Sequence, residues 1–192
     1  MGKKQSLLIP TDKEFLSNKD ISDRLYVWIL MNGNKDGYDI YIDKVPRNGY
    51  KKLNTSYPTF KKRMIALESG GYLKNCGYQY RVSTDNVVYK RLVYKSTIQK
   101  LFDTGIDHII KVYVYLASLY TQYGTKSYFT LSNLLETIGY SYSRNVKMNN
   151  KMKEILSKLV ELGLIEYYKD TECGERYNTR YKLVKVEKGV KK

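Results

Sequence analysis

One histidine, two cysteines, three prolines and one tryptophan are all that 192 residues hold of these types. With a single histidine, His108, and with Cys76 and Cys173 far apart and outside any CxxC pair, the residues for a zinc site are lacking. The simplest reading is two free thiols in a reducing cytoplasm. No glycine-rich phosphate loop, no Walker lysine motif and no HExxH occurs. A nicking enzyme that pairs a tyrosine nucleophile with two metal-binding histidines is excluded on the same count. Asp103, Asp107 and Glu136 show no spacing that suggests a metal pair, and His108, near a helix start, reads as a structural or surface residue. The expectation is a protein that is not an enzyme and uses no cofactor and no metal. Long apolar runs are also missing, as is a signal-peptide core, so neither a membrane partner nor secretion is expected. Met1–Ser6 fits the loose myristoylation pattern, and Asn54-Thr55-Ser56 fits a glycosylation sequon that means nothing without secretion.

Acidic residues are few as well: 19 Asp and Glu stand against 34 Lys and Arg, for a formal charge of +15 and a pI near 9.6. That excess exceeds what solubility requires and predicts a polyanionic partner, nucleic acid first and an anionic membrane surface second. The basic residues are spread along the chain, which favours folded basic surfaces over a disordered arm.

What is present is organised around the second half of the chain. Met152, Ile155, Leu156, Leu159, Val160 and Leu162 recur at spacings of three and four, one stripe of a helix that Gly163 stops. Leu164–Tyr168 reads as a strand, Asp170–Arg176 as a hairpin tip, and Tyr177–Val186 as a returning strand that alternates from Tyr181 onward. Upstream, Ile106–Gln122 is amphipathic, with Ile109, Ile110, Val112, Tyr113, Leu116 and Tyr120 inward. Tyr128–Thr130 is a short strand and Ser132–Ile138 a short helix with Ser132 as its N-cap. Helix, short strand, helix, turn, helix, strand, hairpin, strand is the order of a winged helix.

The first half repeats the plan. Residues Gly2–Asn18 read as a loose lead-in, with Leu7–Pro10 packing on the first domain; Ile21–Met31 reads as a helix, Gly33–Gly37 as a loop and Tyr38–Ile42 as a strand. Pro46–Tyr50 belongs to a turn or a very short helix. Ser56 or Thr55 caps a helix that carries Pro58 in its first turn and runs to about Ser69, and Asn75–Tyr78 turns a tight hairpin. An offset of 92 positions lays Phe60 on Met152, Met64 on Leu156, Leu67 on Leu159, Gly71 on Gly163 and Leu73 on Ile165. This is a diverged internal repeat. Between the halves, 87–94 reads as a strand, and Ser96 as the cap of a short helix that ends near Gly105. The linker is structured and short, so the two modules are expected in fixed relation.

The third helix of such a module is the usual reader of the major groove, and the wing touches backbone or minor groove. The exposed positions of the second third helix and its preceding turn are Ser143, Arg144, Asn145, Lys147, Asn149, Asn150, Lys151 and Lys153. The first carries Thr59, Lys61, Lys62 and Arg63, with Arg47, Lys51 and Lys52 just before it. Arg reads guanine in two bonds, Asn reads adenine and Lys neutralises phosphate. Arg81, Arg176 and Arg180 are the expected wing contacts. Tyrosine, at 21 residues, suits cores and sheets in most places, while Tyr78, Tyr140 and Tyr142 stay open to stacking on single-stranded bases.

The run Asp107–Leu116, the segment Thr130–Gly139 and Leu159–Ile165 together resemble the winged helices of replication initiator proteins from plasmids and phages of low-GC Gram-positive bacteria. The resemblance covers about 87–186, and the abundance of Lys, Asn, Tyr and Ile fits an AT-rich genome. It implies binding to repeated origin sites and contact with host replication proteins, often through a further domain. With the Lys-rich Lys185–Lys192 following the second wing, that domain is expected to be missing or reduced.

The expectation is therefore an α+β protein of two tandem winged-helix (helix-turn-helix) domains. Residues 1–18 are a flexible lead-in, 19–86 the first domain, 87–186 the second with a linking strand and helix, and 187–192 a basic tail. Its expected function is sequence-specific binding of double-stranded DNA in the cytoplasm, at a nucleoid or plasmid, as a monomer or homodimer. Replication initiation comes first. A transcriptional repressor of a mobile genetic element is the alternative, and a module that docks on a host replication or transcription complex is a third reading.

Overall fold

The computed structural model describes residues 5–37, 39–44, 49–83, 89–141, 146–170 and 179–187. Among these, short helices and three small antiparallel sheets alternate, and no helix is long and apolar enough to cross a membrane.

The chain opens with β1 (Ser6–Pro10) and α1 (Lys13–Ser17). Ser22 then caps α2 (Asp23–Asn32), accepting from the Leu25 amide, and nearly every side chain of α2 from Leu25 to Leu30 is buried. A hairpin follows, β2 (Asn34–Asp36) and β3 (Asp39–Asp43), then the single turn α3 (Gly49–Lys52). Ser56 caps α4 (Tyr57–Ser69), with Pro58 in the first turn, where its missing N–H costs nothing. The hairpin β4 (Leu73–Cys76) and β5 (Gln79–Val82) completes a sheet of order β2-β3-β5-β4.

In the second half β6 (Lys90–Tyr94) runs into α5 (Lys95–Asp103), and α6 (Ile109–Tyr123) follows. A 3-10 turn (Gly124–Lys126) leads to β7 (Tyr128–Thr130), α7 (Leu131–Thr137), α8 (Val146–Glu161), β8 (Ile165–Lys169) and β9 (Arg180–Val186). Their sheet has the order β7-β9-β8. Both halves thus pair the strand that precedes their short helix with the last strand of the hairpin: β3 with β5, and β7 with β9.

The repeat is visible in the backbone. Phe60, Met64 and Leu67 of α4 and Met152, Leu156 and Leu159 of α8 are all buried. Gly71 and Gly163 close their helices in the left-handed region, at φ of 78° and 68°. In each case the next residue donates its amide to a carbonyl five back, Tyr72 to Leu67 at 2.9 Å and Leu164 to Leu159 at 3.0 Å. Leu73 and Ile165 then enter the core as the first residues of their strands.

Several local expectations give way. The lead-in is not loose over 5–18: β1 pairs antiparallel with β6 from Ser6–Tyr94 to Pro10–Lys90, and Ile9 and Phe15 are fully buried. Part of the Gly33–Gly37 loop is strand, since Asn34–Asp36 pairs with Asp39–Tyr41. Thr130 rather than Ser132 caps α7, accepting from the Asn133 amide at 3.1 Å. At α5 the cap position is Tyr94, whose side chain makes no capping hydrogen bond, and Ser96 lies inside the helix. The alternation of β9 breaks at a bulge. Glu166 pairs with Lys185 but Tyr167 with Leu183, so the buried residues are Leu183 and Val186, three apart. The tip expected at Asp170–Arg176 and the start of its return strand fall, after Asp170, outside the described residues until Thr179.

The halves interlock. Asp23, at the start of α2 and 1% exposed, turns its carboxylate to the N-terminus of α6 and accepts the amides of His108, Ile110 and Lys111 at 3.1–3.3 Å. Four unpartnered amides begin any helix, so a buried anion there is stabilising. Lys111, 0% exposed, donates from Nζ to the Asn18 carbonyl at 2.9 Å. One hydrophobic core runs through both halves.

Candidate nucleic-acid interface

Helical periodicity sorts the basic residues. In α4 the buried stripe of Phe60, Met64 and Leu67 leaves Thr59, Lys61 and Lys62 exposed, with Arg63 half-buried beside them. In α8 the stripe of Met152, Ile155, Leu156 and Leu159 leaves Lys147, Asn150 and Lys153 exposed, with Asn149 and Lys151 half-buried. Lys51 and Lys52 are exposed on α3. Arg47, Ser143, Arg144, Asn145 and Arg176 lie outside the described residues, as does Tyr142.

Not every cation is unengaged. Lys62 Nζ lies 2.7 Å from Asp20 Oδ1, and Arg63 Nη2 lies 3.8 Å from Asp107 Oδ2. Asp20 precedes α2 and Asp107 precedes α6, so these two cations of α4 rest on carboxylates that lie just before two other helices. Thr59 is partly used up in the cap, its hydroxyl 2.9 Å from Ser56 Oγ.

Neither described wing arginine sits at a hairpin tip. Arg81 lies within β5, half-buried, 3.5 Å from Asp39 Oδ2 and paired across the sheet with Tyr41 and Lys74. Arg180 begins β9, its guanidinium 3.8 Å above the centre of the Tyr128 ring and its Nε 3.9 Å from Asp170 Oδ2. What the β4–β5 hairpin presents at its tip is Tyr78, 95% exposed, after Gly77 in the left-handed region at φ 73°. Tyr140, by contrast, packs edge-on against His108 with ring centres 5.7 Å apart, and Lys19 Nζ lies over its ring, 4.8 Å from the centre.

The loop before α6 has a neighbour on each basic helix. The loop before α6 forms, with the first half of α8, a depression of about 700 Å³ lined by Asp107, Lys147, Met148, Asn150, Lys151 and Glu154 among others. Arg63 of α4 reaches the same Asp107. Asp107 therefore touches α4 through Arg63 and lines the depression along α8. Its neighbour His108 is the residue before α6 and adopts a left-handed backbone, φ 70°, uncommon for a side chain of this size. Burial holds its imidazole below the ordinary value of 6.5, a shift that Asp23 opposes and that Lys111 and Lys151 reinforce. A neutral ring at pH 7 fits a packing residue.

Sequence reasoning missed Asp20, Asp23, Asn18 and Lys111. Ser22-Asp23 signals a helix start, but nothing local ties Asp23 to amides 85–88 positions away. Among the described residues no group of three or more His, Cys, Asp or Glu is placed to hold a metal ion. No family model, curated protein or solved structure matches the chain.

Proposed function

We propose that the chain binds double-stranded DNA sequence-specifically through two tandem winged helices, one over 19–86 and one over 87–186. The observation that carries this reading is the pair α4 and α8: matched by the internal repeat, each buries one stripe and turns Lys or Asn outward. Lysine supplies phosphate neutralisation and asparagine can bond adenine in the major groove, while the formal charge of +15 supplies the long-range attraction. The shared strand order, β3-β5-β4 and β7-β9-β8, supports a wing beside each helix.

The setting we assign is replication initiation of a plasmid or phage, in the cytoplasm and on the plasmid or nucleoid. A repressor of a mobile element would use the same surface on an operator, and repeated sites against a single promoter-proximal site tell the two apart. Docking on a host replication or transcription complex would leave binding intact as salt rises, whereas phosphate contacts weaken steeply. The test is selection of bound fragments from a random duplex pool at about 150 mM salt. Enrichment of one motif is the expected result. Absence of any enriched motif, with binding that vanishes as salt rises, overturns sequence-specific reading.

A further inference from the structure

A carboxylate between two basic helices is an odd component for a surface that meets phosphate. The Arg63–Asp107 pair is partly exposed, at 27% and 37% for the two side chains, and a pair so placed adds little to stability. Its position is more informative. Asp107 faces Arg63 from α4, and the depression it lines brings Lys147, Lys151 and Glu154 from α8 to the same loop. This carboxylate thus touches a basic residue of α4 and lies beside those of α8.

We propose that Asp107 is a specificity-determining residue, one that rejects nonspecific duplexes by repelling phosphate and by holding Arg63 away from it. The inference rests on the DNA-binding reading above. In nonspecific complexes the backbone of the duplex is the main attraction, and a carboxylate that engages Arg63 and stands beside the lysines of α8 opposes it. In the specific register, contacts of Lys147 and Asn150 to phosphates and base edges hold the duplex, and Asp107 takes no part in them. Discrimination then arises from what the protein rejects as well as from what Lys147 and Asn150 attract.

The experiment compares binding of a selected duplex and a scrambled duplex of equal length by fluorescence anisotropy, over a series of salt concentrations. For Asp107→Asn, affinity for the scrambled duplex is expected to rise about fivefold, the size of one partly exposed charge, and the selected duplex to change little. The salt slope for the scrambled duplex is expected to steepen by about 0.9, one more phosphate contact, as Arg63 is released. Asp107→Glu keeps the charge and the wild-type ratio. In an Arg63→Gln background the added slope disappears. An unchanged ratio and slope in Asp107→Asn overturns the inference while the DNA-binding reading stands. Wild-type protein that binds no duplex overturns both.

Discussion

Asp23 Oδ2 lies 3.1 Å from the amide nitrogen of Ile110, so the first long helix of one half caps the first long helix of the other. The same carboxylate also takes the His108 and Lys111 amides. The cap and the shared core both couple the halves.

Removal of this carboxylate leaves three buried amides without an acceptor. Asp23→Ala is expected to cost about 3 kcal/mol, a fall of about 10 °C in Tm for a chain of this length. Trp28, the single tryptophan, reports on the first half, and far-UV circular dichroism on the whole. In the wild type the two should melt together. A variant that melts within about 1 °C of wild type would show that the cap is dispensable.

Two glycines with similar backbones should respond differently to a methyl group. Gly77 and Gly139 both have positive φ, 73° and 81°. A Cβ at Gly77 would meet nothing within 4 Å, whereas at Gly139 it would lie 2.0 Å from the Ser17 carbonyl oxygen. Gly77→Ala should cost about 1–2 kcal/mol from backbone strain alone, and Gly139→Ala at least twice as much, because α1 must move off the second half. Urea midpoints of the two variants compare them; equal losses would mean that α1 is free to shift.

What the sequence made legible is what depends on near neighbours. The Ser56 cap, Pro58 in the first turn and the stop at Gly70-Gly71 all lie within one helix, and α4 has the expected bounds. β7 is Tyr128–Thr130 as read. The pairing of β1 with β6 was illegible because its partners are 80 to 88 positions apart, and five residues of mixed character do not announce a partner. The bulge in β9 was hidden because hydrophobic alternation cannot say where a residue is inserted. At the candidate site, periodicity found the outward lysines. It could not find that Lys62 and Arg63 rest on Asp20 and Asp107, since those carboxylates lie in turns distant in the sequence, before α2 and α6.

The lysines and asparagine of the two helices should have separable effects on DNA. Lys61→Ala and Lys147→Ala are each expected to weaken binding about equally across sequences and to make the salt slope shallower by about 0.9. Asn150→Ala should instead relax preference at one position of the selected site, by about tenfold. Anisotropy titrations against single-base variants of the site measure both. If Asn150→Ala weakened every variant alike, its contact would be to phosphate.

Lys111 sets a pH dependence with a defined sign. Burial pushes its ammonium down from an ordinary 10.5 to about 8, although Asp23 and Glu14 favour the charged form. Between about pH 8 and 10.5 the unfolded chain holds a proton that the folded chain has released. Stability therefore rises with pH through that window, by at most about 1.4 kcal/mol per pH unit from this residue. Tyr113 works the other way. Its hydroxyl is pushed up from 10.0 to about 12, chiefly by burial, so above 10 the unfolded chain loses a proton first and stability falls. The rise should be clearest from about pH 8 to 9.5, where Lys111 titrates and Tyr113 does not. Lys111→Met should flatten it, because no ammonium is then left to desolvate. Urea midpoints measured across that range decide the matter: a profile with the same slope in wild type and Lys111→Met would assign the rise to another group, and a flat wild-type profile would mean that the buried ammonium keeps its ordinary affinity for the proton.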